Sequence, residues 1–158
     1  TCTEIELDTE TGKIEILDMV SIAECGTVVH PQGLKNQLVG GGVWGIGMSV
    51  LERHLYDPQN GLPASTGYWQ SKIPTYLDTP LKIDTGWVDL PDPENPVGAR
   101  GVGEPSMGSV SAALNAAISD ALDGHVFNAT PVTTDMIVNH IAGISEEWVP
   151  LAQNNFRG

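Results

Sequence analysis

A single carboxylate, Glu104, stands between Gly103 and Pro105 in the stretch GARGVGEPSMGSVSAALNAAISDAL, residues 98–122. The residue types around it set what it can do. Gly101 and Gly103 allow backbone conformations closed to other residues and let the chain approach a ligand closely. Pro105 suits the first position of a helix and biases the residue before it toward an extended conformation. Glu104 is thus predicted at the elbow where an extended segment enters a helix. There the free N–H groups and positive dipole end of the helix favour the ionised carboxylate, while burial pushes its pKa upward. A glutamate tuned between those influences can serve as a general base, an effect worth about 10²–10⁴ in rate. The same spacing also describes a glutamate capping a surface helix, and spacing alone does not choose. The helix that follows bears on the choice, because Gly108, Ser109, Ser111, Ala112, Ala113, Ala116 and Ala117 leave it with little bulk. Such a helix is predicted to press against neighbouring backbone and to bury its N-terminal end, Glu104 included.

A second candidate is GGGVWG, in which Gly40, Gly42 and Gly45 have the spacing of a dinucleotide-binding fingerprint. That chemistry needs a strand directly before the first glycine and a helix opening within the motif. Here the glycines fall inside an amphipathic segment that begins near Pro31 and runs through QGLKNQLVGGGVWGIGMSVLERH, so the match lacks its context. No P-loop sequence occurs either. Gly40, Gly41, Gly42, Gly45 and Gly47 inside a helix each cost roughly 1 kcal/mol relative to alanine. Close packing or a ligand against this segment is needed to offset them. Metal-ligating types are sparse: His30, His54, His125 and His140 have no helical metal-ligand spacing, and Cys2 and Cys25 form no CxxC pair. No metal ligand is therefore predicted from this chain, and the two cysteines read more simply as free thiols than as a disulfide.

The elements that position these groups follow from periodicity. In TEIELD and KIEIL, alternation puts Ile5 with Leu7 and Ile14 with Ile16 on the inner faces of two strands joined by a turn at DTETG. AECGTVVHPQ carries turn chemistry, and a glycine-rich helix follows from Pro31. A strand is predicted around ERHLYD, an extended stretch at GYWQSKIPTYLDTP, and a strand in LKIDTGWVDL ahead of the acidic loop PDPENP. Trp44, Trp69, Trp87, Tyr56 and Tyr68 fall in this central region and are predicted to form an aromatic core. A helix from Pro105 to Asp123 is closed by Gly124, and a short one in TTDMIVNHIAG starts at a Thr cap and stops at Gly143. The expected fold class is α+β, a mixed sheet with packed helices, over residues 1–143, with 144–158 a tail wrapping on a neighbouring surface. Because Thr1 opens directly into a strand, the chain reads as a fragment, a processed product or the second half of a split subunit.

At 158 residues the chain has material for one domain or part of one. Twenty Asp and Glu against seven Lys and Arg give a net charge of −13, which repels nucleic-acid phosphates and anionic membranes. No apolar run approaches the roughly 20 residues that span a bilayer, and no signal-peptide pattern opens the chain, so a cytoplasmic protein is expected.

In this order, IELDTETGKIEIL, CGTVVHPQGLKNQLVGGGVWGIGMSVLE, YWQSKIPTYLDTP and GARGVGEPSMGSVSAALNAAISDAL make the chain resemble the molybdenum-binding subunit of the xanthine dehydrogenase and aldehyde oxidoreductase family. The likeness is to the C-terminal part of that subunit, and the last segment is the most specific. The resemblance implies that residues 1–143 are the C-terminal portion of a molybdopterin-binding domain. It implies that Glu104 is the base that takes a proton from Mo–OH, which then attacks the substrate carbon while hydride passes to the Mo=S sulfur. Gly101, Val102 and Gly103 would lie at the cofactor. Gln37, matching the glutamine of a Gln-x-Glu-Gly-Gly pattern, would meet the pterin. Two positions depart from the pattern: Val39 stands where an acidic residue is usual, and Arg100 where lysine is frequent, which keeps the charge but alters its geometry. The implied cofactor is molybdenum-molybdopterin, with the cytosine dinucleotide form left open. The implied partners are the remaining portion of the Mo subunit, an iron–sulfur subunit and an FAD subunit. The implied reaction is hydroxylation of an N-heteroaromatic or aldehyde carbon with water-derived oxygen. Carbon monoxide oxidation, reductive dehydroxylation of an aromatic thioester, and a non-catalytic structural subunit are the alternatives.

Overall fold

The computed structural model describes residues 1–144, so the tail expected over 144–158 lies outside the described residues except for Ile144. Strand β1 (Cys2–Leu7) and strand β2 (Ile14–Glu24) precede helix α1 (Pro31–Ile46), which runs into a π-helical turn (Gly47–Leu51). A short helix α2 (Tyr68–Ser71), a 3-10 turn (Tyr76–Asp78) and strand β3 (Ile83–Val88) follow, then α3 (Pro105–Ala121) and α4 (Thr134–Ile141). The sheet order is β1-β2-β3, with β1 antiparallel and β3 parallel to β2. This is the expected mixed sheet with packed helices.

The β1–β2 hairpin is fixed by Asp8, whose carboxylate accepts from the backbone N–H of Glu10 at 2.9 Å and of Thr11 at 3.3 Å. Those bonds, the one from Glu10 foremost, hold its carboxyl below the ordinary Asp value. Gly12 closes the turn at φ +70°, where a side chain would run into the Thr134 carbonyl. The pairing then slips: Glu4 faces Asp18 but Ile5 faces Ile16, leaving Leu17 without a partner across the ladder. One extra residue on one strand reverses the alternation beyond it. Ile14 and Ile16 point inward before the bulge, and Met19 and Ser21 after it. Strand β2 therefore reaches Glu24, into the segment whose residues suggest a turn.

The inward sheet residues meet both long helices. Met19, Ile46, Val110 and Leu114 form one buried cluster with Ile5, Ile16, Val50 and Ile83 against it. A second joins Ile118, Leu122, Val132 and Ile137, and a third joins Cys25, Leu34 and Leu38. On α3 the buried positions Ser106, Val110, Leu114 and Ile118 recur every four residues, one stripe of a helix. That helix ends as predicted near Gly124, which is at φ +88° and donates to the Ser119 carbonyl at 2.8 Å. The α1 N-terminus is capped by His30, whose Nδ1 accepts from the Gly33 N–H at 2.6 Å.

Three expectations for the middle of the chain fail. ERHLYD is not a strand: only the single bridge Tyr56–Pro63 forms, around a turn in which Asp57 accepts from the Gln59 N–H and the Asn60 side chain. GYWQSKIPTYLDTP is not extended, because α2 and the 3-10 turn occupy it, the latter held by reciprocal bonds between Thr75 and Asp78. The aromatic residues are not a core, since Trp44, Trp69, Trp87, Tyr56 and Tyr68 are all exposed. The interior they were expected to fill is taken by aliphatic side chains from the sheet, α1, α3 and α4.

Candidate active site

Two glycines of α1 set the site. A Cβ at Gly41 would overlap the Ser106 hydroxyl, and one at Gly45 would come within 2.5 Å of Val110 Cβ. Their absence lets α3 begin directly against the middle of α1, the close approach that offsets the propensity cost of the glycines. At that contact the buried Ser106 hydroxyl donates to the Gly103 carbonyl at 2.7 Å and lies 3.5 Å from the Gln37 carbonyl. The segment leading into α3 is thereby tied to the exposed Gln37 turn of α1.

The other end of that segment is pinned to the end of β2. Gly26 and Gly98 both take positive φ, +69° and +71°, and a side chain on Gly26 would collide with the Gly98 carbonyl. The Thr27 N–H donates to Gly98 O and the Arg100 N–H to Cys25 O, each at 2.7 Å. The Arg100 guanidinium donates to Glu24 at 2.6 Å and to Asp92 at 2.8 Å. The bond from Arg100 is the chief reason that the Asp92 carboxyl sits below its ordinary range, and Asp92 in turn raises Arg100. The arginine that replaces the frequent lysine thus spans two carboxylates from different parts of the chain, a use that its forked geometry allows.

Between these anchors lie the predicted site residues. The Val102 side chain is partly buried against the Cys25, Leu34 and Leu38 cluster. No described residue accepts from the backbone N–H of Gly101, Val102 or Gly103. A Cβ at Gly101 would meet nothing within 4 Å, and one at Gly103 would be 3.7 Å from Gln37 Oε1. Gln37 and Gly103 are brought together, and Glu104 follows Gly103 in the chain. Neither Gly101 nor Gly103 uses left-handed backbone, which falls at Gly98 instead.

Glu104 departs from expectation in two respects. It is helical, at φ −59° and ψ −32°, rather than extended, because the Met107 N–H donates to its carbonyl at 2.9 Å and draws it into the first turn. It is exposed rather than buried, because the small-residue face of α3, with Gly108, Ala112 and Ala116, has no described element across it. Its side chain makes no capping bond. The helix-cap role left open by its spacing is therefore not one it performs here.

GGGVWG lies wholly within α1 and the strand required by a dinucleotide fingerprint does not precede it. Sequence reasoning gave no role to His125 and His140, which stack with centroids 3.6 Å apart and Phe127 edge-on to His125. They line a concavity of about 1040 Å³ with Arg53 and Asp135, beyond the C-terminal end of α3 and away from Glu104. Among the described residues no group of three His, Cys, Asp or Glu side chains could hold a metal ion, and no helix is long and apolar enough to cross a membrane.

Among the described residues, a sheet backed by two close helices carries, near the start of α3, the amides of 101–103 without acceptors, the exposed Gln37 carboxamide and the exposed Glu104 carboxylate. Comparison with known proteins gives the family. Residues 1–80 match the family model of the molybdopterin cofactor-binding domain. The chain is 33% identical over 147 residues to the gamma subunit of the 6-hydroxypseudooxynicotine dehydrogenase complex of Paenarthrobacter nicotinovorans, covering 92% of this chain and 18% of that one. It is 26% identical to the xanthine dehydrogenase molybdenum-binding subunit of Escherichia coli O157:H7, over 90% of this chain and 19% of that one. Its fold matches quinoline 2-oxidoreductase from Pseudomonas putida 86 with a TM-score of 0.81 at 34% identity, over 87% of this chain and 18% of that one. The chain belongs to the molybdopterin cofactor-binding domain family. It spans less than a fifth of the length of these relatives.

Proposed function

We propose that this chain forms one wall of a molybdenum-pterin site in which Glu104 is the general base for hydroxylation of an N-heteroaromatic or aldehyde carbon with water-derived oxygen. The observation that carries the reading is Glu104 at the start of α3, its side chain bound to no cap, next to Gly103, whose Cβ position lies 3.7 Å from Gln37 Oε1. The residues present suit the cofactor. The exposed Gln37 carboxamide can both donate to and accept from a pterin edge. The N–H groups of 101–103, without acceptors among the described residues, suit acceptor oxygens, and the open space at Gly40 and Gly101 admits a bulky group against the backbone. When bound, the molybdenum-pterin supplies two-electron oxidation and the water-derived oxygen.

In this reading Glu104 takes, on a carboxylate oxygen, the proton that the attacking oxygen gives up, and returns it to solvent. Arg100, with Glu24 and Asp92, holds the segment at its height above α1. The names of the quinoline- and pseudooxynicotine-acting relatives favour a nitrogen-containing substrate. The remaining portion of the Mo subunit completes the site, and iron–sulfur clusters and FAD on further subunits carry the electrons away, in the cytoplasm. Acid release of nucleotide distinguishes plain molybdopterin from its cytosine dinucleotide. The decisive experiment replaces Glu104 by Gln in the complete enzyme. Turnover should fall by about 10²–10⁴ with molybdenum and pterin content retained, and near-normal turnover would sink the assignment.

A further inference from the structure

In a chain of net charge −13, residues 62–81 contain only Lys72 and Asp78 as charged groups. In the same segment Leu62 is 64% exposed, Tyr68 84%, Trp69 87%, Tyr76 99%, Leu77 96% and Leu81 108%. Single exposed apolar side chains are ordinary on a protein surface; a run of this length is not. Aromatic enrichment with charge depletion is the composition of an interface centre.

The backbone beneath these side chains is held. Helix α2 fixes Tyr68 and Trp69. The Thr75 N–H and hydroxyl donate to Asp78 at 2.8 and 2.7 Å, fixing Tyr76 and Leu77 while engaging the segment's one acidic group internally. Pro74 sits against Gly47 of the π-helical turn so closely that a Cβ there would be 2.8 Å from its ring. Side chains displayed on ordered turns lose less freedom on association than those of a loose loop.

Relatives of this chain carry more than four-fifths of their length beyond the part it matches. We propose that residues 62–81 are the surface by which this chain docks on the remaining portion of the molybdenum-binding subunit, with Trp69 and Tyr76 entering an apolar, charge-poor groove there. The inference rests on the reading that such a portion completes the site, and it assigns the contact to this segment.

Hydroxyl-radical footprinting of the assembled, active complex, with molybdenum assayed in the same sample, tests it. Oxidation of Tyr68, Trp69, Tyr76 and Leu77 should be slowed roughly tenfold relative to the urea-unfolded chain, as expected for water-excluded interface anchors. Cross-links from Lys72 should reach peptides of the remaining portion. Oxidation at the unfolded rate, or Lys72 cross-links confined to a second copy of this chain or to an electron-transfer subunit, would overturn the proposal. Protection in a complex devoid of molybdenum would support the docking surface while removing the proposed chemistry. An active, molybdenum-containing complex with this segment unprotected would do the reverse.

Discussion

Gly40 and Gly41 are neighbours on α1 with opposite surroundings. A side chain on Gly41 would overlap Ser106, whereas one on Gly40 would meet nothing within 4 Å. The contrast recurs across the site, where Gly103 lies near Gln37 and Gly101 faces open space. Inward glycines set the distance between α1 and α3, and through Ser106 the position of Glu104. Outward glycines set nothing among the described residues, so any need for them lies in what is placed against those. One sequence feature, a run of glycines, thus serves two purposes separated by a single residue.

That division can be broken or sharpened by substitution. The largest effect expected on the open side is the loss of turnover in Glu104→Gln already described, with cofactor content unchanged. On the closed side, Gly45→Val forces Val110 or the helix backbone to move. It should destabilise the fold by at least about 1–3 kcal/mol, read as a lowered urea midpoint. Gly40→Ala should instead stabilise α1 by about 1 kcal/mol, raising the midpoint while lowering the pterin content of the complete enzyme. Equal pterin content in Gly40→Ala and the parent would show that the open face of α1 is not used.

The smallest effect concerns pH. Arg100 holds the folded Asp92 carboxyl below its ordinary 3.8. A group with a depressed folded pKa adds stability above its unfolded value, and that stability is lost as pH falls through the folded one. Acidification from neutral pH to below 3.8 should therefore loosen residues 92–100, modestly because Arg100 is exposed. Amide exchange at Arg100 reports this, and Asp92→Asn should remove that part of the pH dependence.

Much of this was legible in the residues. Alternation located β1 and the start of β2, and Pro105 and Gly124 bracketed α3; the family resemblance singled out Gln37 and Glu104, and a Cβ at Gly103, next to Glu104, would be 3.7 Å from Gln37 Oε1. What escaped did so for physical reasons. The preference of a residue before proline for extended backbone was overridden at Glu104 by the hydrogen bond that starts α3. The partners of Arg100 lie 8 and 76 positions away, so no local pattern joins them. Tyr68, Trp69 and Tyr76 have the composition of a core, and composition does not say whether the covering surface belongs to the same stretch of chain.

The unpaired Leu17 carries a consequence for how this sequence can change length. Deleting Leu17 would remove the bulge and leave Glu4 opposite Asp18 and Met19 inward, whereas pairing Leu17 in a regular ladder would turn Met19 to the outer face and Asp18 to the inner one. Met19 is the side chain whose sulfur lies 3.4 Å from where a Cβ on Gly42 would be, and it seats α1 on the sheet. The hairpin tip can gain or lose residues in pairs with the inward pattern intact. At Leu17 one residue taken up as a bulge turns the second half of the strand, and Met19 with it, toward α1.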